Sequence, residues 1–243
     1  MSMLSLMVGL LLGSMAVAAS ITLYRVNLRQ SVDARETTQQ DVESALAMQA
    51  VSSLVMQAGF GIRSVSGPSA SADTDIVLLR NAQFVDGVGG RLQAELQSLL
   101  ATSNGATVVG NALVWSWSPS AQLPDEVWCA GLVSVGGALL HLTPARCASA
   151  GTDWSAIDWQ VQTIAATRTS SNTTSALAIG TVFSVDPNAG TCAPFSTQIG
   201  RGNTTGLVLR LTDFTSTAPT SSASSAERTR SFTSQVCLTN ITR

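Results

Sequence analysis

Any chemistry in this chain has to be built from a small set of side chains. Four cysteines (Cys129, Cys147, Cys192 and Cys237), a single histidine (His141) and two aspartate-tryptophan neighbours (Asp153 with Trp154, Asp158 with Trp159) are the groups suited to covalent, acid-base or glycan-directed work. The cysteines form no C-x-x-C and have one histidine in 243 residues for company, so their spacing suits paired thiols in an oxidising compartment. Four cysteines allow three pairings. The local one, Cys129 with Cys147 and Cys192 with Cys237, is the simplest. Its first bridge closes a hairpin, and its second ties a C-terminal strand back across a Ser/Thr loop. In the chain-entropy account each closure stabilises by ~3 to 4 kcal/mol.

The remaining candidates favour packing over catalysis. His141 sits in the apolar run ALLHLTP, where a lone histidine reads as a packing residue rather than a base. Asp153 and Asp158 could form a carboxylate pair in an aromatic setting, as glycan-active sites do, but they also read as a turn cap and a strand opener beside core tryptophans. No G-x-S-x-G, H-E-x-x-H or paired Asp-x-Asp calcium loop occurs. All thirteen basic residues are arginine, so Schiff-base, Ser-Lys and P-loop chemistry have no lysine to use. The expectation is a protein that is no enzyme and holds no cofactor or metal. A net charge of -2 gives no footprint for nucleic acid, and with charged residues at 12% the surface reads as polar without being charged.

The elements that must carry these groups fall into two parts. Residues 1–23 contain no charge and no proline. Met1 to Ala19, counted with Ser20 to Leu23, is long enough to cross a hydrocarbon core of ~30 Å at ~1.5 Å per residue. Tyr24 to Gly59 has no proline either, and Leu28, Val32, Val42, Leu46, Ala50 and Leu54 recur at helical spacing. The spacing predicts one helix over 1–60, with 1–23 as membrane or filament-core anchor. A secretory signal peptide competes, and AVAAS at Ala16 to Ser20 would serve as its cleavage site, but no basic residue precedes the apolar run and no helix break follows it. Arg25, Arg29 and Arg35 would hold the head in the cytoplasm under the positive-inside rule, whereas the cysteines want an oxidising side. A basic leader removed before Met1 reconciles the two.

Beyond Phe60 the periodicity turns from helical to alternating. Residues 61–73 (GIRSVSGPSASAD) read as a Gly/Ser/Pro linker, and 74–243 as one β-rich head. Leu113, Trp115 and Trp117 alternate with Val114, Ser116 and Ser118 as a half-buried strand, and Gly136-Gly137 joins strands 126–135 and 138–143 in a hairpin. Strands are also expected over 159–166, 175–185, 206–214 and 231–238. Val88, Leu92, Leu96, Leu99 and Leu100 predict a short amphipathic helix near 89–102. Residues 170–175 and 216–225 are Ser/Thr-rich connectors, and Asn172, Asn203 and Asn240 each begin an N-x-Ser/Thr sequon.

Two stretches carry a family resemblance over about the first quarter of the chain. Ser2-Met3-Leu4-Ser5-Leu6-Met7-Val8-Gly9-Leu10-Leu11 resembles the start of a mature type IV pilin, an apolar first residue followed by Ser/Thr-Leu-Ile-Glu-Leu-Met-Val. Asp41 to Ile62 is similar to the end of the long helix in PilW-like minor pilins, which closes on M-A-G-F/Y; here Met56-Gln57-Ala58-Gly59-Phe60-Gly61 stands in its place. The resemblance implies an α+β pilin-like fold in which the long helix packs on the β-rich head. It implies Met1 as the processed and N-methylated residue, and an assembly helix using Leu4, Ser5, Met7, Val8, Leu11 and Tyr24. The chain would wait in the inner membrane, then pass through a pilus assembly machinery into an extracellular filament of its own copies or other pilins. A C-terminal disulfide loop is also a habit of that family. Ser5 departs from the pattern, because the family's glutamate, thought to neutralise a neighbouring subunit's N-terminal amine, is replaced by a hydroxyl with no countercharge. The tip-located minor pseudopilins, which carry priming or adhesive roles, also lack that acid. The other readings of Ser5 and of the chain are a hydroxyl bonded to its own helix, and a monomeric membrane-anchored binding module.

Overall fold

A computed structural model describes residues 3–64, 67–68, 70–99, 107–119, 126–165, 181–185, 207–217 and 228–242. The arrangement is α+β: a long N-terminal helix, α1 (Met3–Val55), precedes a β-sheet-rich domain. By internal contacts the chain forms two units, residues 1–43 and residues 44–243. The first is helix alone. The second begins with the last turns of α1 and contains every described strand.

Among the described residues fourteen strands follow, with one short helix between β9 and β10. They are β1 (Arg63–Ser64), β2 (Gly67–Pro68), β3 (Ala70–Ser71), β4 (Ile76–Phe84), β5 (Leu92–Gln97), β6 (Val108–Gly110), β7 (Ala112–Trp117), β8 (Trp128–Val135) and β9 (Ala138–Arg146). After α2 (Ala150–Asp153) come β10 (Val161–Ala165), β11 (Thr181–Val185), β12 (Leu207–Thr217), β13 (Arg228–Leu238) and β14 (Ile241–Thr242). One antiparallel sheet has the order β10-β9-β8-β7-β4-β5, and a second has the order β13-β12-β11-β6. The chain passes from the second sheet to the first at Gly110-Asn111. A Cβ on Gly110 would lie 2.3 Å from the Leu79 carbonyl oxygen, so only glycine permits that approach. Asn111 then staples the sheet: its side chain accepts from Ala82 N–H (2.8 Å) and donates to the Ala82 and Ser134 carbonyls (3.0 and 3.1 Å). Those bonds hold the register shift in β4 between Arg80 and Gln83.

The central strands of the six-stranded sheet, β7, β8 and the first half of β4, are buried on both faces. Ile76, Leu78, Leu113, Trp115 and Leu132 face a core shared with Phe183, Leu209, Leu211 and Val236 of the second sheet and with Met48, Val51 and Val55 of α1. Val77, Leu79, Val114, Val133 and Leu142 face a second core closed by Ala150 and Trp159. Two-sided burial explains the continuous apolar runs IVLL and ALVW, and it corrects the half-buried reading of 113–118: Val114, Ser116 and Ser118 are as fully buried as Leu113 and Trp115. Asp75, also buried, is satisfied by Ser71 N–H and Ser116 Oγ–H, each at 2.8 Å.

Three other expectations are revised. The helix ends at Val55 and not near residue 60, because Gly59 and Gly61 take positive φ (+73° and +71°) and turn the chain into the head. The side of α1 that faces the core is Ser44, Ala47, Met48, Val51 and Val55, while Val42 and Leu46 are exposed. The expected helix at 89–102 is instead a hairpin arm. Gly87, Gly89 and Gly90 all have positive φ, β5 pairs with β4, and Val88 is exposed while Leu92 and Leu99 are buried. The apolar residues there happen to recur at helical intervals, but the sheet edge offers β4 a partner strand and decides the outcome. Finally, part of the expected linker belongs to the domain: β1 pairs with β2, and β3 pairs in parallel with β14.

The C-terminus closes over the exit of α1. Asn240 Nδ2 donates to the Met56 and Ala58 carbonyls at 3.5 and 3.4 Å, and Gly59 N–H donates to Ser116 O at 2.9 Å. A Cβ on Gly59 would lie 2.7 Å from both Ala70 Cβ and Ile241 Cδ1. Gly59→Ala therefore destabilises the head by about 2 kcal/mol or more in urea unfolding. Gly9→Ala, with nothing within 4 Å of the added methyl, leaves the same transition in place.

Candidate functional site

Two regions hold the residues singled out by sequence: the N-terminal half of α1 and the β8-β9 end of the head. In α1, Met7–Val32 is long and apolar enough to cross a membrane, and none of it is buried within the chain. A membrane anchor and a signal sequence both have this form. Met7, Val8, Leu11 and Tyr24 are 75%, 51%, 56% and 65% exposed. Leu4 and Ser5 lie in α1 by backbone, their side chains fall outside the described ones, and Met1 lies outside the described residues.

The polar side chains of the apolar stretch are spent on their own helix. Ser14 Oγ donates to Leu11 O (2.8 Å), Ser20 Oγ to Ala16 O (2.8 Å) and Thr22 Oγ1 to Ala18 O (2.7 Å). Satisfied in this way, they add little cost in an apolar medium. Gly9 and Gly13 have open space beside them, which leaves two places where another helix or lipid chain can approach the backbone. The first charges are Arg25 and Arg29, and the first carboxylate is Asp33.

In the head, Gly136 and Gly137 (φ +58° and +81°) make the two-residue turn that sets the β8-β9 register. One extra residue in β9 between Leu142 and Ala145 shifts that register, and Pro144, which has no N–H to give a ladder, sits there. The shift sets Cys129 opposite Ala145, and Cys129 is joined to Cys147 with Cα atoms 5.8 Å apart. Trp128 faces Arg146, whose guanidinium lies 5.6 Å from the ring centroid and meets Glu126 at 2.6 Å. Arg146 is 72% exposed, so the ion pair adds ~1 kcal/mol at most. Cys237 is disulfide-bonded, and Cys192 lies outside the described residues.

The Asp/Trp neighbours are part of the packing. Ser149 caps α2, and the Asp153 carboxylate accepts from Ala148 N–H at 2.5 Å. Trp159 is buried, gives its Nε1–H to Trp154 O (3.0 Å), and exchanges backbone bonds with Gly90. Asp158 is exposed beside Gly90. Among the described residues no group of three or more His, Cys, Asp or Glu could hold a metal ion. Two contacts escaped sequence reasoning. Asn240 as the cap of α1 was hidden by its sequon, and the Trp128-Arg146 pair was findable by counting register back from Gly136-Gly137. Asn172 and Asn203, and the connectors 170–175 and 216–225, lie outside the described residues for all but 216–217.

The chain matches no family model, no curated protein and no solved structure.

Two stability measurements follow. Cys129→Ala/Cys147→Ala opens a loop of 18 residues' separation and lowers unfolding stability by about 3 kcal/mol, read by denaturant titration under oxidising conditions. Burial holds the His141 imidazole below its ordinary pKa of 6.5, so the unfolded chain takes up a proton that the folded one resists. His141 therefore costs no stability well above pH 6.5 and an increasing amount as pH falls through it. His141→Gln will lose less stability than wild type between pH 8 and pH 5; equal losses in the two proteins would refute this.

Proposed function

We propose that this chain is a structural subunit of an extracellular type IV pilus-like filament. One observation carries the reading. A single uninterrupted helix combines an apolar half with no cover inside the chain and a last few turns built into the core of a β-rich, disulfide-bonded head. Some 20 uncovered apolar residues need a medium. The inner membrane supplies it before assembly, and the helices of neighbouring subunits replace lipid afterwards, with Gly9, Gly13 and the back-bonded hydroxyls suited to both. The resemblance of residues 2–11 and 41–62 to pilins supports the same reading.

Ser5 favours a second reading, a minor or tip subunit with a priming or adhesive role, because position 5 lacks the carboxylate that would pair with a neighbour's amine. A monomeric membrane-anchored binding module is the third, and differs by forming no fibre.

Helical reconstruction of sheared fibres separates the three: the chain at repeating lattice positions supports the first, at fibre ends the second, and no fibres at all the third. Val8→Asp sets a charge in the apolar stretch at ~3 kcal/mol in a membrane or helix bundle. It will abolish incorporation into fibres while leaving the head's unfolding transition unchanged.

A further inference from the structure

The two arginines that end the apolar stretch stand one turn apart on α1, with Asp33, whose side chain lies outside the described ones, one turn beyond Arg29. Arg25 and Arg29 are one helical turn apart on one face, where like charges repel. Both are exposed, and among the described residues neither has an ion-pair partner. Positions 21, 22 and 28, the other neighbours of Arg25 on that face, are Ile, Thr and Leu. No charge of either sign occurs in residues 1–24, and no carboxylate occurs before Asp33.

Their position along α1 says what anion meets them. Met3 to Leu23 is 21 residues of uncharged helix, ~31 Å at ~1.5 Å per residue, against a hydrocarbon core of ~30 Å. With that stretch inserted, Tyr24 stands at the boundary, where a ring with a polar tip prefers to be. Arg25 and Arg29 then span the next ~6 Å, the depth of the headgroup phosphates. A phosphodiester between two guanidinium groups turns a repulsive pair into a bridged one, with charge-assisted bonds in a region of low dielectric.

We infer that Tyr24, Arg25 and Arg29 form a headgroup clamp that selects anionic phospholipids in the leaflet on the head side and fixes the depth of α1. The clamp rests on the membrane-inserted state in the function proposed above. Arg35 is no part of it: twelve residues past Leu23, it lies ~18 Å beyond the apolar stretch, well outside the phosphate layer.

The test uses the full chain in phosphatidylcholine vesicles doped with spin-labelled phosphatidylglycerol or spin-labelled phosphatidylcholine, and measures their relative association with the protein. Wild type will prefer phosphatidylglycerol about fivefold at low salt, declining as salt is raised. Arg25→Gln/Arg29→Gln will bring the ratio close to one, and Arg35→Gln will keep the wild-type value. A wild-type ratio of one, a ratio unchanged in the double variant, or an equal loss in Arg35→Gln would overturn the clamp. Should the double variant instead lose self-association with the lipid ratio unchanged, the occupant is a second copy of the chain and the clamp is again refuted. Alkaline carbonate extraction separates the two levels. Release of wild type from vesicles defeats the membrane-inserted state itself, while retention without lipid preference defeats the clamp alone.

Discussion

The last turns of α1 must be covered on one side, and the head is organised around doing so. Val51 and Val55 are wholly buried, each stabilised by ~1.5 to 3 kcal/mol relative to exposure, and they share one core with both sheets. Because the helix cannot continue through that core, its exit has to turn within a few residues. Gly59 and Gly61 supply the left-handed backbone, Ser116 and Ser118 of the central strand region exchange backbone bonds with residues 59 and 60, and Asn240 takes the freed carbonyls. The N-terminal helix, the middle of the six-stranded sheet and the extreme C-terminus are thus fastened at one place. This makes the C-terminal segment part of the helix attachment rather than a tail.

In the doubly covered centre of the sheet several buried polar groups bond to one another, while Trp115 Nε1 and Trp117 Nε1 are buried with no hydrogen-bond partner. Asp75, Ser71 and Ser116 form one closed set of bonds, and Asn111 with Ala82 and Ser134 forms another. Both lie where the chain changes direction or sheet. In such places an unsatisfied group would cost ~1 to 3 kcal/mol, so the polar side chains fix geometry by being irreplaceable rather than by adding much net stability. The Cys129-Cys147 bridge acts similarly at the far end of the β8-β9 hairpin, where a register shift at Pro144 would otherwise leave the strand ends free to separate.

The apolar stretch of α1, Met7–Val32, differs in that its described residues are exposed. Ser14, Ser20 and Thr22 bond to carbonyls of their own helix, and Gly9 and Gly13 have open space beside them.

The apolar opening and the Gly136-Gly137 hairpin are local properties, and residue types and spacing determined them without help. The long apolar helix and the β-rich class of the domain after it came with them. Other features depended on neighbours in other elements. Val88, Leu92, Leu96 and Leu99 have a helical period, yet pairing with the edge of β4 made a strand of Leu92–Gln97. Val42 and Leu46 have the period of the core-facing side, yet the sheets accept the side bearing Met48, Val51 and Val55. The serines at 116 and 118 look like solvent positions, but a second apolar layer covers them. In each case the backbone hydrogen bonds or the covering layer came from another element, as near as Phe84 opposite Leu92 and as far as Val236 in one core with Val51, and the period of a single segment does not report them.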